Sequence, residues 1–150
     1  MTAYFADTSA VAKRYIAESG SKWVNGWIKP AAGNVIVISD LAKVEMISVF
    51  ARRRREGAIT IDEFALLKNA FLLDVDTQYV AVSIREDTLA EARRLLDVYP
   101  LRTLDAIHLA SALQAALILG QPLVFVSADQ NLNNAAVSEG LPVEDPNRYP

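Results

Sequence analysis

The sequence predicts an α/β fold in which a mostly parallel β-sheet carries helices on both faces. Short apolar segments rich in β-branched residues alternate along the chain with longer amphipathic segments, which is the pattern of parallel strands joined by helical crossovers. No internal repeat, low-complexity stretch or linker interrupts this alternation, and 150 residues correspond to about one domain. We therefore expect a single domain over residues 1–150.

Five segments are predicted to be the strands. Each is short and apolar, as a strand buried on both faces should be, and the last of them carries the weakest pattern. In chain order they are residues 3–6, 35–38, 79–82, 123–126 and 142–144.

Four segments carry apolar residues at spacings of three and four, the period of an amphipathic helix. They are residues 40–55, 61–73, 84–98 and 104–119. Gly57 and Gly120 follow two of them, where glycine commonly ends a helix. A further helical stretch begins after the first strand, around Thr8 and Ser9.

The composition narrows the available chemistry. The chain has no cysteine, which excludes disulfides, thiolate metal sites and a cysteine nucleophile. With a single histidine, a metal would be held by oxygen ligands, which suit Mg²⁺ or Mn²⁺. The net charge of −3 argues against a protein that coats nucleic acid, but it is compatible with a nuclease whose acids bind metal. Without a leader-like N-terminus or a run of about 18 apolar residues, we expect a cytoplasmic protein that does not enter a membrane.

Four acids are predicted to meet at one edge of the sheet. Asp7 follows the first strand and Asp129 follows the fourth. Asp105 falls in the first turn of its helix if Thr103 is the N-cap residue, and Glu45 interrupts an apolar stretch near the start of another helix. Ligands of such folds bind beyond the carboxyl ends of the strands. Because convergent carboxylates repel one another, a divalent cation is the usual remedy.

Each acid also has a purely structural interpretation. Asp7 and Asp105 suit helix caps or partners of the helix dipole, worth roughly 0.5–2 kcal/mol. Glu45 is compatible with a solvent-facing position beside Lys43. For any one acid alone the structural interpretation is at least as economical, and it is their joint occurrence that favours a metal site.

Four motifs together resemble a known family. In chain order they are FADTSAVAKRY, KVEMISVFARRRREG, LRTLDAIHLASA and VFVSADQNL. Their order and spacing, over about residues 3–145, resemble the PIN-domain ribonucleases, and among these the VapC-type toxins of toxin–antitoxin pairs. The resemblance implies a three-layer α/β/α sandwich with a central, mostly parallel sheet of about five strands. It also implies an endoribonuclease dependent on Mg²⁺ or Mn²⁺, a homodimer, and an antitoxin whose C-terminal segment blocks the acidic groove.

The resemblance also assigns roles to individual residues. The catalytic, metal-binding acids that match the family motifs are Asp7, Glu45, Asp105 and Asp129. The hydroxyl residues expected to support them are Thr8, Ser9 and Ser127. We expect Asp7 and Asp105 to be direct ligands, and the other two acids to bind metal directly or through water. Among family members, the acid at the position that matches Asp129 is the one that varies most.

Basic residues near the motifs are candidates for contact with RNA phosphates. Lys13 and Arg14 lie near the end of the first motif, where either substrate or a partner would meet them. Arg52 and Arg53 lie in an arginine run whose alternative role is a solvated helix end favoured by the helix dipole.

Two further features leave their roles open. His108 is expected to pack or hydrogen-bond beneath the site rather than to act as a general base. Trp23 and Trp27 share a helical face that suits either the core or a partner surface.

Other folds with acidic pockets fit less well. A receiver-like domain would need a lysine after its last long strand, and VFVSAD has none. A haloacid-dehalogenase-like phosphatase would need an aspartate where Ser9 stands, and a dinucleotide-binding module would need a glycine-rich loop in place of DTSAV. The remaining alternative is a PIN-like binding module without catalysis. The identity of the RNA, whether transfer, ribosomal or messenger, stays open.

Overall fold

The computed structural model describes residues 1–150, which form five strands in one sheet and seven α-helices. The strands are β1 (Ala3–Ala6), β2 (Val35–Ser39), β3 (Tyr79–Val82), β4 (Leu123–Val126) and β5 (Val143–Glu144). The helices are α1 (Thr8–Tyr15), α2 (Ser21–Ile28), α3 (Ala42–Arg55), α4 (Ile61–Thr77), α5 (Glu86–Val98), α6 (Thr103–Leu119) and α7 (Gln130–Ser138). Short 3₁₀ turns lie at Pro30–Ala32 and Pro146–Arg148.

The sheet is parallel throughout, in the order β3-β2-β1-β4-β5. Strands β2 and β3 lie on one side of β1, and β4 and β5, which come later in the chain, lie on its other side. The order therefore reverses between β1 and β4, and the crevice beyond the carboxyl ends of these two strands is the expected ligand position.

Successive residues of each strand point to opposite faces of the sheet and enter two separate cores. Phe5 packs with Leu95 of α5 and Leu109 of α6 in the first core. Ile38 packs with Met46 and other residues of α1 to α4 in the second core. These two helix layers around one sheet confirm the predicted three-layer α/β/α sandwich.

The predicted strands and helices are confirmed, with changes at some boundaries. Gly57 and Gly120 have positive φ of 76° and 62° and end α3 and α6 as expected. Helix α4 continues to Thr77, four residues beyond the predicted end at residue 73. Thr103 is the first residue of α6 rather than its N-cap, since Arg102 takes the extended N-cap conformation. Helix α7 was not among the predicted helices.

An aromatic ladder fixes the position of α2. Trp27, which is buried, stacks on Tyr4 of β1 with a centroid distance of 4.3 Å and meets Trp23 edge to face. Trp23 in turn stacks on Tyr149 near the C-terminus, at 4.5 Å. Trp27 therefore belongs to the core, whereas Trp23 is half-buried and packs against that core from outside.

No helix combines the length and the apolar character needed to cross a membrane.

Candidate active site

Asp7 lies between β1 and α1, and its carboxylate caps the N-terminus of α1. As the N-cap residue, Asp7 has extended backbone angles and its Oδ1 accepts a 3.0 Å hydrogen bond from the backbone N–H of Ala10. The capping interpretation of Asp7 is thus confirmed. Its side chain is nevertheless only one part of a larger arrangement, because two serines reach the same carboxylate.

Two parallel hydrogen-bond chains run from the β4–α7 loop into Asp7. The Ser127 hydroxyl donates to Oδ2 at 2.6 Å and accepts from the Asp129 N–H at 3.1 Å. The Ser9 hydroxyl donates to Oδ1 at 2.6 Å and accepts from the Ala128 N–H at 3.0 Å. Each oxygen of Asp7 is therefore oriented by a hydroxyl that is itself held by backbone of the neighbouring strand's loop.

Burial governs the protonation of Asp7, which is 4 % exposed. Loss of hydration raises the pKa of its carboxyl group above the usual value. The charge of His108 and the hydrogen bonds from Ser127, Ser9 and Ala10 oppose this rise without cancelling it. A nearby cation would stabilise the ionised form of this carboxylate.

Glu45 on α3 approaches the same region from the other side. Its Oε1 accepts a 2.8 Å hydrogen bond from the Thr8 hydroxyl and is also in contact with Nε2 of His108. Burial raises the pKa of Glu45, but the hydrogen bond and charge of His108, with the bond from Thr8, outweigh it and hold the pKa below its usual value. Glu45 is therefore an anion with partners, not a bare carboxylate.

His108 is buried beneath the cleft, with 2 % exposure. Its Nε2 meets Glu45 and lies 3.3 Å from the Thr8 hydroxyl, while its Nδ1 has no hydrogen-bond partner. The ring thus hydrogen-bonds beneath the site, as the sequence suggested, and links α6 to both α1 and α3.

Asp105 and Asp129 complete the acidic group. Asp129 is the N-cap of α7, with Oδ1 accepting a 2.9 Å hydrogen bond from Leu132 N–H. Asp105 lies in the first turn of α6. Burial, and then the charges of Asp129 and Asp7, raise the pKa of Asp105. Mutual repulsion of this kind means that the three aspartates are close enough to share one electrostatic environment.

These acids line a cleft of about 440 Å³ at the edge of the sheet. Its acidic residues are Asp7, Glu18, Glu45, Asp105 and Asp129. Its basic residues are Lys13, Arg52, Arg53 and Arg102, and it is also lined by Thr8, Ser9 and His108. Ser127 is fully buried behind the cleft and reaches it through Asp7. A second, more apolar cavity of about 310 Å³ lies between β3 and α6 and contains none of the four predicted acids.

The donor set of the cleft suits a hard divalent cation, although no three acidic or histidine side chains converge in metal-binding geometry. Mg²⁺ usually binds one or two carboxylates and keeps several waters. Asp105 carries no hydrogen bond that would compete for its oxygens, and the repulsion that raises its pKa would be relieved by a cation. The residues therefore fit a metal bound by few carboxylates and completed by water.

The candidate basic residues divide into two groups. Lys13, Arg52 and Arg53 lie at the cleft. Arg14 does not, because it points into a polar cluster with Asp74 at 3.3 Å and the Tyr79 hydroxyl at 2.9 Å. The prediction that Arg14 contacts RNA is corrected by this placement, since its side chain is 12 % exposed and satisfied within the protein.

Two cleft residues were missed by the sequence analysis. Arg102 stands in the motif LRTLDAIHLASA three residues before Asp105, so its position in the motif was the available signal. Glu18 lies in the connection between α1 and α2, and only the folded chain brings it to the cleft.

A parallel α/β/α sandwich with an acidic cleft beyond β1 and β4 is the architecture of the PIN domain. The PIN-domain family model matches residues 4–138 of the sequence. The chain belongs to the PIN-domain family, which confirms the resemblance of its motifs.

Solved structures share the fold over nearly the whole chain. A toxin–antitoxin complex from Klebsiella pneumoniae is 18% identical, with a TM-score of 0.59 over 96% of this chain and 98% of that one. FitAcB from Neisseria gonorrhoeae is 13% identical, with a TM-score of 0.60 over 95% and 97%. PAE2754 from Pyrobaculum aerophilum is 19% identical, with a TM-score of 0.58 over 95% and 89%. At these identities the likeness concerns the fold. No curated protein matches the sequence significantly.

Proposed function

We propose that the protein is a metal-dependent endoribonuclease and the toxin of a type II toxin–antitoxin pair. The observation that carries the proposal is the set of three aspartates, Asp7, Asp105 and Asp129, gathered in one cleft where burial and mutual repulsion raise the pKa of Asp105. Such a cluster suits a divalent cation, and arginines on its walls suit a polyanion.

Asp7 and Asp105 would hold Mg²⁺ or Mn²⁺, with Glu45 and Asp129 binding directly or through water. When bound, such an ion supplies a water that is easily deprotonated and neutralises charge developing on the phosphate. Ser9 and Ser127 would keep both oxygens of Asp7 oriented, and Thr8 would do the same for Glu45. No covalent nucleophile is required.

Cations on the cleft walls would bind the RNA backbone. Arg52, Arg53 and Arg102 are the candidates with guanidinium groups, which match phosphate geometry. Lys13 is buried and donates to the Ser19 carbonyl at 2.7 Å, so its main contribution would be to hold the wall of the cleft in place.

The toxin assignment rests on the family and on the fold shared with a toxin–antitoxin complex. We propose a cognate antitoxin whose C-terminal segment enters the acidic cleft, a homodimer, and action in the cytoplasm. An antitoxin in the cleft would compete with RNA for the same arginines.

The test is cleavage of labelled RNA by the purified protein with Mg²⁺ or Mn²⁺ and with EDTA. We expect cleavage that EDTA abolishes, that Asp7→Asn and Asp105→Asn abolish, and that the exposed Asp97→Asn leaves intact. Growth arrest on expression should follow the same pattern. Absence of divalent-cation binding, together with unchanged toxicity of Asp7→Asn, would refute the proposal. Sequencing the 5′ ends of RNA from expressing cells would identify the target.

A second candidate is a PIN-like binding module without catalysis. The observation in its favour is that both oxygens of Asp7 are occupied by serine hydroxyls and no three acids converge on one point. The same assay separates the two candidates, because a binding module would cleave no RNA either with or without metal. Such a module would still bind RNA under both conditions.

A further inference from the structure

Glu18 lies in the connection between α1 and α2, at a wall of the cleft. Its two carboxylate oxygens meet different elements. Oε1 is 3.2 Å from the ammonium group of Lys13 on α1, and Oε2 is 3.4 Å from the guanidinium group of Arg53 on α3. Glu18 is the acid of the cleft whose ion-pair partners, Lys13 and Arg53, also line the cleft.

The two cations depend on Glu18 to different degrees. Lys13 is buried and also donates to the Ser19 carbonyl at 2.7 Å, so it keeps a strong partner without Glu18. The Arg53 side chain is 38% exposed, and Glu18 is its one ion-pair partner. Arg53 is therefore the cation of the cleft that Glu18 neutralises.

The backbone around Glu18 is fixed, whereas its side chain is partly exposed and is held by the two ion pairs alone. The Glu18 N–H donates to the Ser21 hydroxyl at 2.9 Å. Gly20 has φ of +86° and packs so closely that a Cβ would lie 2.5 Å from the Pro146 carbonyl oxygen. The Glu18 side chain itself is 34% exposed. Rotation of that side chain is sufficient to release Arg53, and exposed ion pairs of this kind are weak.

We propose that Glu18 holds the place of an RNA phosphate at Arg53 and is displaced when RNA enters the cleft. The inference rests on the proposed function, namely that the cleft binds RNA. A phosphate accepts from an arginine in the same way as a carboxylate does, and it can do so in bidentate fashion. Glu18 thereby lowers the affinity of the cleft for RNA, because an RNA phosphate that binds Arg53 must first displace Glu18.

The test compares glutamate variants in an Asp105→Asn background, which leaves Glu18 and Arg53 intact and prevents cleavage. Binding of a labelled single-stranded oligoribonucleotide is measured by fluorescence anisotropy between about 50 and 200 mM salt. The matched control is Glu86→Gln, which removes a glutamate from an exposed ion pair with Arg93 on α5, outside the cleft.

We expect Glu18→Gln to tighten binding about three- to fivefold, as release of an exposed ion pair allows. Because Arg53 contacts the same phosphate once Glu18 has been displaced, the slope of log K against log salt should be the same in Glu18→Gln as in the parent. Adding Arg53→Ala should remove the gain in affinity and make the slope shallower by about 0.7, and Glu86→Gln should change neither the affinity nor the slope. Equal changes in Glu18→Gln and Glu86→Gln, or a gain that survives Arg53→Ala, would overturn the inference.

The parent protein separates this inference from the proposed function. If wild type cleaves RNA and the Asp105→Asn parent binds it, while Glu18→Gln behaves like Glu86→Gln, the inference alone fails. If neither protein binds or cleaves RNA, the proposed function fails and the inference falls with it.

Discussion

The Ser127 hydroxyl donates a 2.6 Å hydrogen bond to the Asp7 carboxylate, joining two residues that are 120 positions apart. The bond spans the point where the strand order reverses, because Asp7 follows β1 and Ser127 follows β4. Ser127 is fully buried and also accepts from the Asp129 N–H. One hydroxyl therefore orients the carboxylate of Asp7 and holds the backbone at Asp129.

Ser127→Ala is expected to destabilise the protein and to disorder the site. The change leaves Asp7 Oδ2 and the Asp129 N–H without their partner, which should cost about 2 kcal/mol. Thermal unfolding should show a Tm lower by about 4–8 °C. The exposed Ser83→Ala serves as the control and should leave the Tm unchanged. Equal Tm values for the two variants would show that the hydrogen bonds of Ser127 do not stabilise the protein.

Glu139→Gln should lower stability in a pH-dependent way. Glu139 follows α7 and accepts from Arg94 and from the Tyr99 hydroxyl, both at the end of α5. These hydrogen bonds hold the pKa of Glu139 below its usual value. A depressed pKa contributes stability that is present above the unfolded-state value of about 4.5 and is lost as the pH falls through the folded-state value.

The expected loss for Glu139→Gln at pH 7 is about 1 kcal/mol, or about 2–4 °C in Tm. The difference from wild type should shrink as the pH is lowered below about 4.5, measured by thermal melts in a pH series. Glu86→Gln, whose partner Arg93 lies in a far more exposed pair, should change the Tm much less at every pH. A pH-independent loss would contradict the assigned ion pair.

The sequence predicted those features that depend on local order along the chain. Asp7 is recognisable because an acid after an apolar strand and before a helix is a local pattern, and Gly120 because glycine readily adopts the positive φ of 62° that ends α6. Helix α7 was missed because Asn131, Asn133 and Asn134 weaken its helical pattern. It begins with the Asp129 cap and is completed by packing of Leu132 in the core.

The remainder of the site depends on contacts between distant residues. The Glu45–His108 pair joins residues 63 positions apart, and Glu18 reaches Arg53 across 35 positions. No spacing rule relates such residues, since their separation is set by the whole fold. Arg14 was misplaced for the same reason, because its partner Asp74 belongs to a helix whose length was underestimated.

Asp105→Asn should stabilise the metal-free protein at neutral pH. Burial and the charges of Asp129 and Asp7 raise the pKa of Asp105 from its usual 3.8. A raised pKa contributes stability that is present below the unfolded-state value and is lost as the pH rises through the folded-state value. Asparagine resembles the protonated form, so its advantage should be absent below about pH 4 and present at pH 7.

We expect this gain to be about 0.5 kcal/mol, a Tm higher by about 1–2 °C in EDTA. The exposed Asp97→Asn should show no such gain at pH 7. If Asp105→Asn were instead less stable than wild type at pH 7, the aspartates would not be repelling one another.

Mg²⁺ or Mn²⁺ should stabilise wild type but not Asp105→Asn. A ligand at about 100 times its Kd adds about 2.7 kcal/mol to the folded state, or about 5–11 °C in Tm for a domain of this size. Thermal melts at pH 7.5 with metal and with excess EDTA measure the shift without reference to activity. Asp97→Asn should respond as wild type does, and an equal response of Asp105→Asn would exclude that residue as a ligand.

Arg102→Ala should weaken RNA binding in the cleft. Arg102 lines the cleft at the start of α6, and its charge also lowers the pKa of Asp105, so it lies near the acids without an ion-pair partner. Loss of one phosphate contact should lower affinity for all RNA sequences alike and make the salt slope shallower by about 0.7. The exposed Arg93→Ala is the control, since Arg93 pairs with Glu86 away from the cleft. Because Arg102 carries no partner that must first be displaced, its removal should weaken binding more than Arg53→Ala does, and the reverse order would place the principal phosphate contact on α3.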